Sequence, residues 1–173
     1  MSEKTKNGFP ERKSPRLKKF DYNSAGSYFI TICTQDRRCM LSQIVGTGVL
    51  DCPSVKLTKY GEIADKHINA LNKFYAHIQV ESYVIMPNHI HILLNVTRGG
   101  QSGTPVPTSA NTAVSSFVST FKRFCNKEYG ENIWQARFYD HIIRNQPDYE
   151  EHLQYIYENP LRWYYDKLYN EHQ

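Results

Sequence analysis

Two histidines with a single residue between them, His89 and His91, sit inside the most apolar stretch of the chain, Ser82-Tyr83-Val84-Ile85-Met86-Pro87-Asn88-His89-Ile90-His91-Ile92-Leu93-Leu94-Asn95-Val96. The β-branched and aromatic residues around them fit a buried strand. On a strand, side chains two apart share a face, so both imidazoles point one way while Ile90 and Ile92 point the other. Neutral imidazoles about 6–7 Å apart along one pleated face can share a single divalent ion, leaving the opposite face for the core. The plainer alternative is a pair of core histidines satisfied by neighbours, although burying two imidazoles costs desolvation twice.

A second group with chemical potential lies near the other end of the chain. Glu151, Tyr155 and Asn159 are spaced i, i+4, i+8, with His152 one step round, so on a helix all four share a side while Tyr157 points nearly opposite. A tyrosine hydroxyl one turn from an amide oxygen can act as a nucleophile beside a third metal ligand, provided that this face docks on the histidine pair. From these residues alone the pairing can be accidental, since the chain holds 13 tyrosines. Asn159 before Pro160 is also simply a good helix stop.

The elements that have to hold these groups are legible in outline. Ser27-Tyr28-Phe29-Ile30-Thr31-Ile32-Cys33-Thr34 is a strongly β run, ended by Gln35-Asp36-Arg37-Arg38, whose two cations suit either phosphate contact or a wet loop. Gly46, Gly48 and Pro53 break Met40–Val55 into a loose hairpin or long connection. Ile63, Ala64, Ile68, Leu71 and Phe74 recur at helical spacing within 57–74, with Thr58 as N-cap. The strand over 79–96 is either divided or bulged at Pro87. Residues 97–108 read as a flexible linker. The stretch from Asn111 to about Tyr129 reads as a helix with Val114, Phe117, Val118, Phe121 and Phe124 on one stripe and Lys122, Arg123 and Lys127 off it. Residues 133–144 suit one or two further strands with a bend. Pro147 opens a last helix over Asp148–Glu158, with Asp148 and Glu150 in its first turn, where the helix dipole favours them.

A chain of 173 residues, 40% hydrophobic and 22% charged, suits a single domain with an ample core. Its formal charge of +4 is unevenly spread: residues 1–19 carry seven Lys/Arg against Glu3 and Glu11, a balance of +5, which leaves −1 for residues 20–173. The division is therefore a basic N-terminal arm, 1–19, and one domain, 20–173. Such an arm attracts polyanions, nucleic acid above all, and otherwise serves as a solvated tail. Cys33, Cys39, Cys52 and Cys125 form no C-x-x-C pair and no disulfide framework, which fits reduced thiols in the cytoplasm. No signal-type segment and no run of about 18 apolar residues points to a membrane.

Taken together, Tyr28-Phe29-Ile30-Thr31-Ile32-Cys33-Thr34, Val84-Ile85-Met86-Pro87-Asn88-His89-Ile90-His91, Ile133-Trp134-Gln135 with His141-Ile142-Ile143-Arg144-Asn145, and Tyr155-Ile156-Tyr157-Glu158-Asn159-Pro160 resemble the REP-associated tyrosine transposases. These belong to the HUH single-tyrosine transposases, U being a hydrophobic residue, and the resemblance runs from about Arg16 to Trp163. It implies an α+β, ferredoxin-like or RRM-like fold: a mainly antiparallel sheet with the HUH pair on a central strand and helices packed on it. Carried over residue by residue, it makes His89 and His91 ligands of Mg²⁺ or Mn²⁺, Tyr155 the nucleophile and Asn159 the third ligand. Many HUH enzymes use another residue at that third position, which leaves His152 and Glu151 as substitutes, and Tyr157 is the alternative nucleophile. The implied substrate is single-stranded DNA carrying hairpin-forming repeats, cut through a 5′-phosphotyrosine bond that is later rejoined without ATP. Arg37, Arg38, Lys122, Arg123 and Arg144 are the expected phosphate contacts, and Trp134 and Phe138 offer stacking surfaces. Monomer and homodimer are both open.

Two other classes compete. A DNA-binding regulator that keeps the fold without the reaction is one, although His89, His91 and Tyr155 together speak for chemistry. A nucleotide hydrolase of the His-x-His-x-His kind is the other, but Leu93 stands at its third position.

Overall fold

Alternation of large apolar side chains builds the sheet first. The computed structural model describes residues 25–46, 53–97, 113–163 and 168; the basic arm, residues 98–108 of the linker, Asn111 and Cys52 lie outside the described residues. Strand β1 (Gly26–Cys33) runs antiparallel to β5 (His89–Val96) over its whole length, from Gly26 opposite Val96 to Cys33 opposite His89. Strand β4 (Ile78–Ile85) pairs with the other edge of β5, and β6 (Tyr139–Ile142) with the other edge of β1, giving the order β4-β5-β1-β6. A separate hairpin of β2 (Ser42–Val45) and β3 (Ser54–Leu57) fills the connection over 40–55. Helices α1 (Lys59–Phe74), α2 (Ala113–Tyr129) and α3 (Gln146–Glu158) complete the described elements.

Leaving out the small hairpin and α3, the main-sheet elements follow as strand, helix, strand, strand, helix, strand. With the order above, this is the ferredoxin-like arrangement expected from the resemblance, and β5 is a central strand. Because side chains alternate, Tyr28, Ile30 and Ile32 of β1 and Ile90, Ile92 and Leu94 of β5 go to one face, where they pack with Ala64, Ile68 and Leu71 of α1 and Phe117, Phe121 and Cys125 of α2. The opposite face carries Phe29 and Leu93, covered by Ile156, Leu153 and Tyr149 of α3. The histidine pair belongs to this second, α3-covered face.

The local signals behave as their chemistry dictates. Thr58 caps α1 by accepting from the Gly61 amide (3.3 Å). Asn145 caps α3 by accepting from the Asp148 amide (2.9 Å), with Pro147 in the first turn, where its missing N–H costs nothing. The stretch 79–96 is divided at Pro87, not bulged there: Met86, Pro87 and Asn88 turn the chain between β4 and β5, and the ladder irregularity lies instead between Val80 and Ser82. That turn is pinned from outside, since the Pro87 carbonyl accepts from the amides of Met40 and Leu41 (2.9 Å each) and the Asn88 carbonyl from the amide of Thr34 (3.0 Å). In 133–144 only Tyr139–Ile142 is a full strand, with Trp134 forming an isolated bridge to Thr34.

Candidate active site at the paired histidines

His89 and His91 lie on the same face of β5, as their spacing requires, with ring centroids 4.5 Å apart and planes at 67°. Rings so inclined can aim their in-plane lone pairs at one point, which parallel rings cannot. Both are buried, at 0% and 3% exposure. Burial pushes the His89 pKa down from 6.5 to about 3, and the Arg37 guanidinium adds to the shift, so the ring is neutral at pH 7. Its Nδ1 lies 2.8 Å from Asn88 Oδ1, while its buried Nε2 has no hydrogen-bond partner among the described residues. His91 Nδ1 lies 2.8 Å from Thr31 Oγ1, and its Nε2 is likewise buried. Each ring is thus held through Nδ1, the arrangement that fixes ligating histidines in metal centres.

Helix α3 brings Tyr155 to this face. Its ring centroid lies 5.1 Å from that of His91 and 6.0 Å from that of Phe29. A cavity of about 690 Å³ opens there, lined by His91, Tyr155, Thr31, Phe29, Tyr139 and Glu151 among others. Tyr155 is 37% exposed at its edge, whereas Tyr157 is 69% exposed and lines no part of the cavity, in keeping with its direction on the helix. The cavity reaches His91, while His89 lies beneath the Trp163 ring, 5.9 Å away between centroids. Asn159, the C-cap of α3, is 1% exposed with its Oδ1 buried.

Of the alternatives for a third ligand, His152 is engaged elsewhere. Its Nδ1 donates to the Asp148 carbonyl one turn back (2.8 Å), and its ring packs on Phe29 (4.7 Å), which itself stacks on His91 (5.0 Å). Glu151 is exposed at the cavity wall. The expected phosphate contacts fall in different places. Arg37 and Arg38 are exposed on the loop after β1, next to the histidine site, and Arg144 is exposed at the turn into α3. Lys122 and Arg123 are on α2, across the sheet from the histidines. There Lys122 donates to the carbonyls of Gln135 (2.7 Å) and Arg137 (3.2 Å), and burial pulls its pKa down to about 8, with Cys33 opposing the shift. The ring of Trp134 is core, at 5.4 Å from Phe121.

Sequence reading missed Thr31, Asn88 and Phe29 as supports of the pair. A polar threonine at an inward position of an apolar strand, and an asparagine abutting the first histidine, were the available signals. It also missed the cluster of His141, Asp148 and His152. Asp148 accepts from His141 Nε2 (3.0 Å) and lies 3.1 Å from His152 Nδ1, and the two rings stack at 4.5 Å and 15°. Parallel rings cannot both hold one ion in plane, and His152 Nδ1 already serves a carbonyl, so the cluster acts as a buttress between β6 and α3.

No protein-family model matches the chain. It is 29% identical over 184 residues to an uncharacterized protein of Haemophilus influenzae, covering 98% of this chain and 99% of that one. It is 26% identical over 141 residues to the REP-associated tyrosine transposase of Escherichia coli K12, covering 82% of this chain and 70% of that protein. Among solved structures it resembles a REP-associated tyrosine transposase bound to a REP hairpin, with TM-score 0.61 and 23% identity over 88% of this chain and 77% of the other. By architecture, then, the chain shares the fold of that transposase structure. By sequence the chain is similar to the REP-associated tyrosine transposases of Escherichia coli and Haemophilus influenzae, the second of them, named as putative, at 29% identity over 82% of this chain and 74% of that protein.

Proposed function

We propose that this protein is a metal-dependent tyrosine transposase that cleaves and rejoins single-stranded DNA at hairpin-forming repeats. The carrying observation is the Tyr155 ring 5.1 Å from His91, both lining one cavity. The bare, buried Nε2 of His89 supports an ion at the pair, and the two imidazole nitrogens favour Mn²⁺ over the harder Mg²⁺. His89, His91 and Asn159 would hold the ion, which would supply Lewis acidity toward a phosphate oxygen.

In this reading the Tyr155 hydroxyl attacks the phosphorus as its proton leaves. The bond from phosphorus to the 3′-oxygen breaks, giving a 5′-phosphotyrosine ester and a 3′-hydroxyl that has gained a proton. The ester keeps the bond's reactivity, so a 3′-hydroxyl can reverse the step on a new strand. A nucleophile on a packed helix does not reach a phosphate inside a regular duplex, which favours unpaired DNA beside a hairpin. Arg37 and Arg38, next to the site, suit phosphate contacts. The DNA partner is supported by the hairpin bound to the structural relative.

Incubation of the full chain with labelled hairpin-bearing single-stranded DNA and Mn²⁺, followed by a denaturing gel, tests this. A covalent adduct is expected with the wild type and with Tyr157→Phe, and none with Tyr155→Phe or with chelator. Hairpin binding without any adduct selects the regulator reading instead.

A further inference from the structure

We infer that Asn88 is a positioning residue for the histidine pair, setting the tautomer that leaves His89 Nε2 unprotonated. The inference rests on the proposed function in taking His89 as an ion ligand. Asn88 is fully buried, and its amide orientation is fixed by two acceptors: Nδ2 donates to the carbonyls of Leu168 (2.7 Å) and Arg37 (3.3 Å). Turning the amide over would set Oδ1 against two carbonyl oxygens. Oδ1 therefore faces His89 Nδ1 at 2.8 Å, and an oxygen without a proton can only accept. The Nδ1 of His89 carries the hydrogen, and Nε2 keeps its lone pair.

The same residue is held through its backbone. Its carbonyl accepts from both the amide and the Oγ1 of Thr34 (3.0 Å each). The Arg37 carbonyl that orients the amide belongs to a turn in which Asp36 and Arg37 both adopt φ of 55°. Non-glycine residues in that region carry strain that only surrounding contacts sustain. Asn88 thus ties the cationic loop after β1 and the chain at Leu168 to the orientation of one imidazole.

The test has two readouts on the full chain. In the ¹⁵N long-range spectrum of the metal-free protein at pH 7.5, with the His89 signals identified by their loss in His89→Gln, a protonated Nδ1 and bare Nε2 are expected. A protonated Nε2, or a rapid mixture of tautomers, overturns the inference. Titration of free Mn²⁺ should show ten- to hundredfold weaker binding for Asn88→Ala. Equal affinity in wild type and Asn88→Ala overturns the inference as well. If Asn88→Ala does not fold, the wild-type spectrum decides. Absence of Mn²⁺ binding by the wild type defeats the ion reading itself, while the tautomer spectrum still judges Asn88 separately.

Discussion

At the residue scale, His89 shows what burial does to an imidazole. Its pKa is lowered to about 3, first by desolvation and then by Arg37, whereas the unfolded chain binds a proton near pH 6.5. Below pH 6.5 the unfolded state therefore holds more protons than the folded one. The stability tied to the neutral ring is intact above that pH and drains as pH falls toward 3. Between pH 7.5 and 5 this amounts to about 2 kcal/mol at most, at about 1.4 kcal/mol per pH unit. Urea unfolding with chelator should show the wild type losing more stability over that interval than His89→Gln. An equal loss would place the proton-excluding group elsewhere. Tyr155 and Tyr157 make the complementary point: two residues with the same hydroxyl differ because one turns toward His91 and the other toward water.

At the scale of elements, the close approach of α1 to the chain before β2 sets a sharp constraint. Gly61 sits in the first turn of α1 where a Cβ would run into the Leu41 carbonyl oxygen, and Leu41 also accepts from the Thr58 amide (3.0 Å). Alanine is normally the better helix residue by about 1 kcal/mol. Here the sign reverses: Gly61→Ala should destabilise the protein by about 1–3 kcal/mol, read as a lowered midpoint of thermal or urea unfolding. A gain in stability would show that α1 can move away. The Pro87 carbonyl accepts from Leu41 too, so α1 and the turn before His89 share one support.

At the scale of the whole molecule, charge and shape divide the work. The sheet's α1/α2 face is core, and its α3 face carries the polar groups, with Arg37 and Arg38 exposed beside it. Residues 1–19 hold a balance of +5 in a chain of +4. Each cation that neutralises a phosphate contributes about 0.7–0.9 to the salt dependence of binding. Arg37→Ala with Arg38→Ala should weaken hairpin DNA binding and lower its log–log salt slope by about 1–2, and removal of residues 1–19 should lower the slope further. Lys122→Ala should change it little, because its amine is occupied by two carbonyls. Fluorescence anisotropy across a salt series measures all three.

Period-2 and period-3.6 patterning, helix caps and the P-N-H-I-H segment were written in local sequence, because they depend on neighbours two to four residues away. They determined β1, α1, the shared face of His89 and His91, and the common side of Tyr155 and Asn159. Sequence spacing could not decide that α3 would lie across the histidine face, that Thr31 and Asn88 would hold the two rings, or that Lys122 would be spent on the protein's own carbonyls. Those outcomes rest on contacts between residues 13 to 80 positions apart, from Lys122 with Gln135, through Thr31 with His91 (60 apart), to the Leu168 carbonyl that orients Asn88. Only packing of the whole chain, which buries Phe29, Leu93 and Ile156 together, selects them.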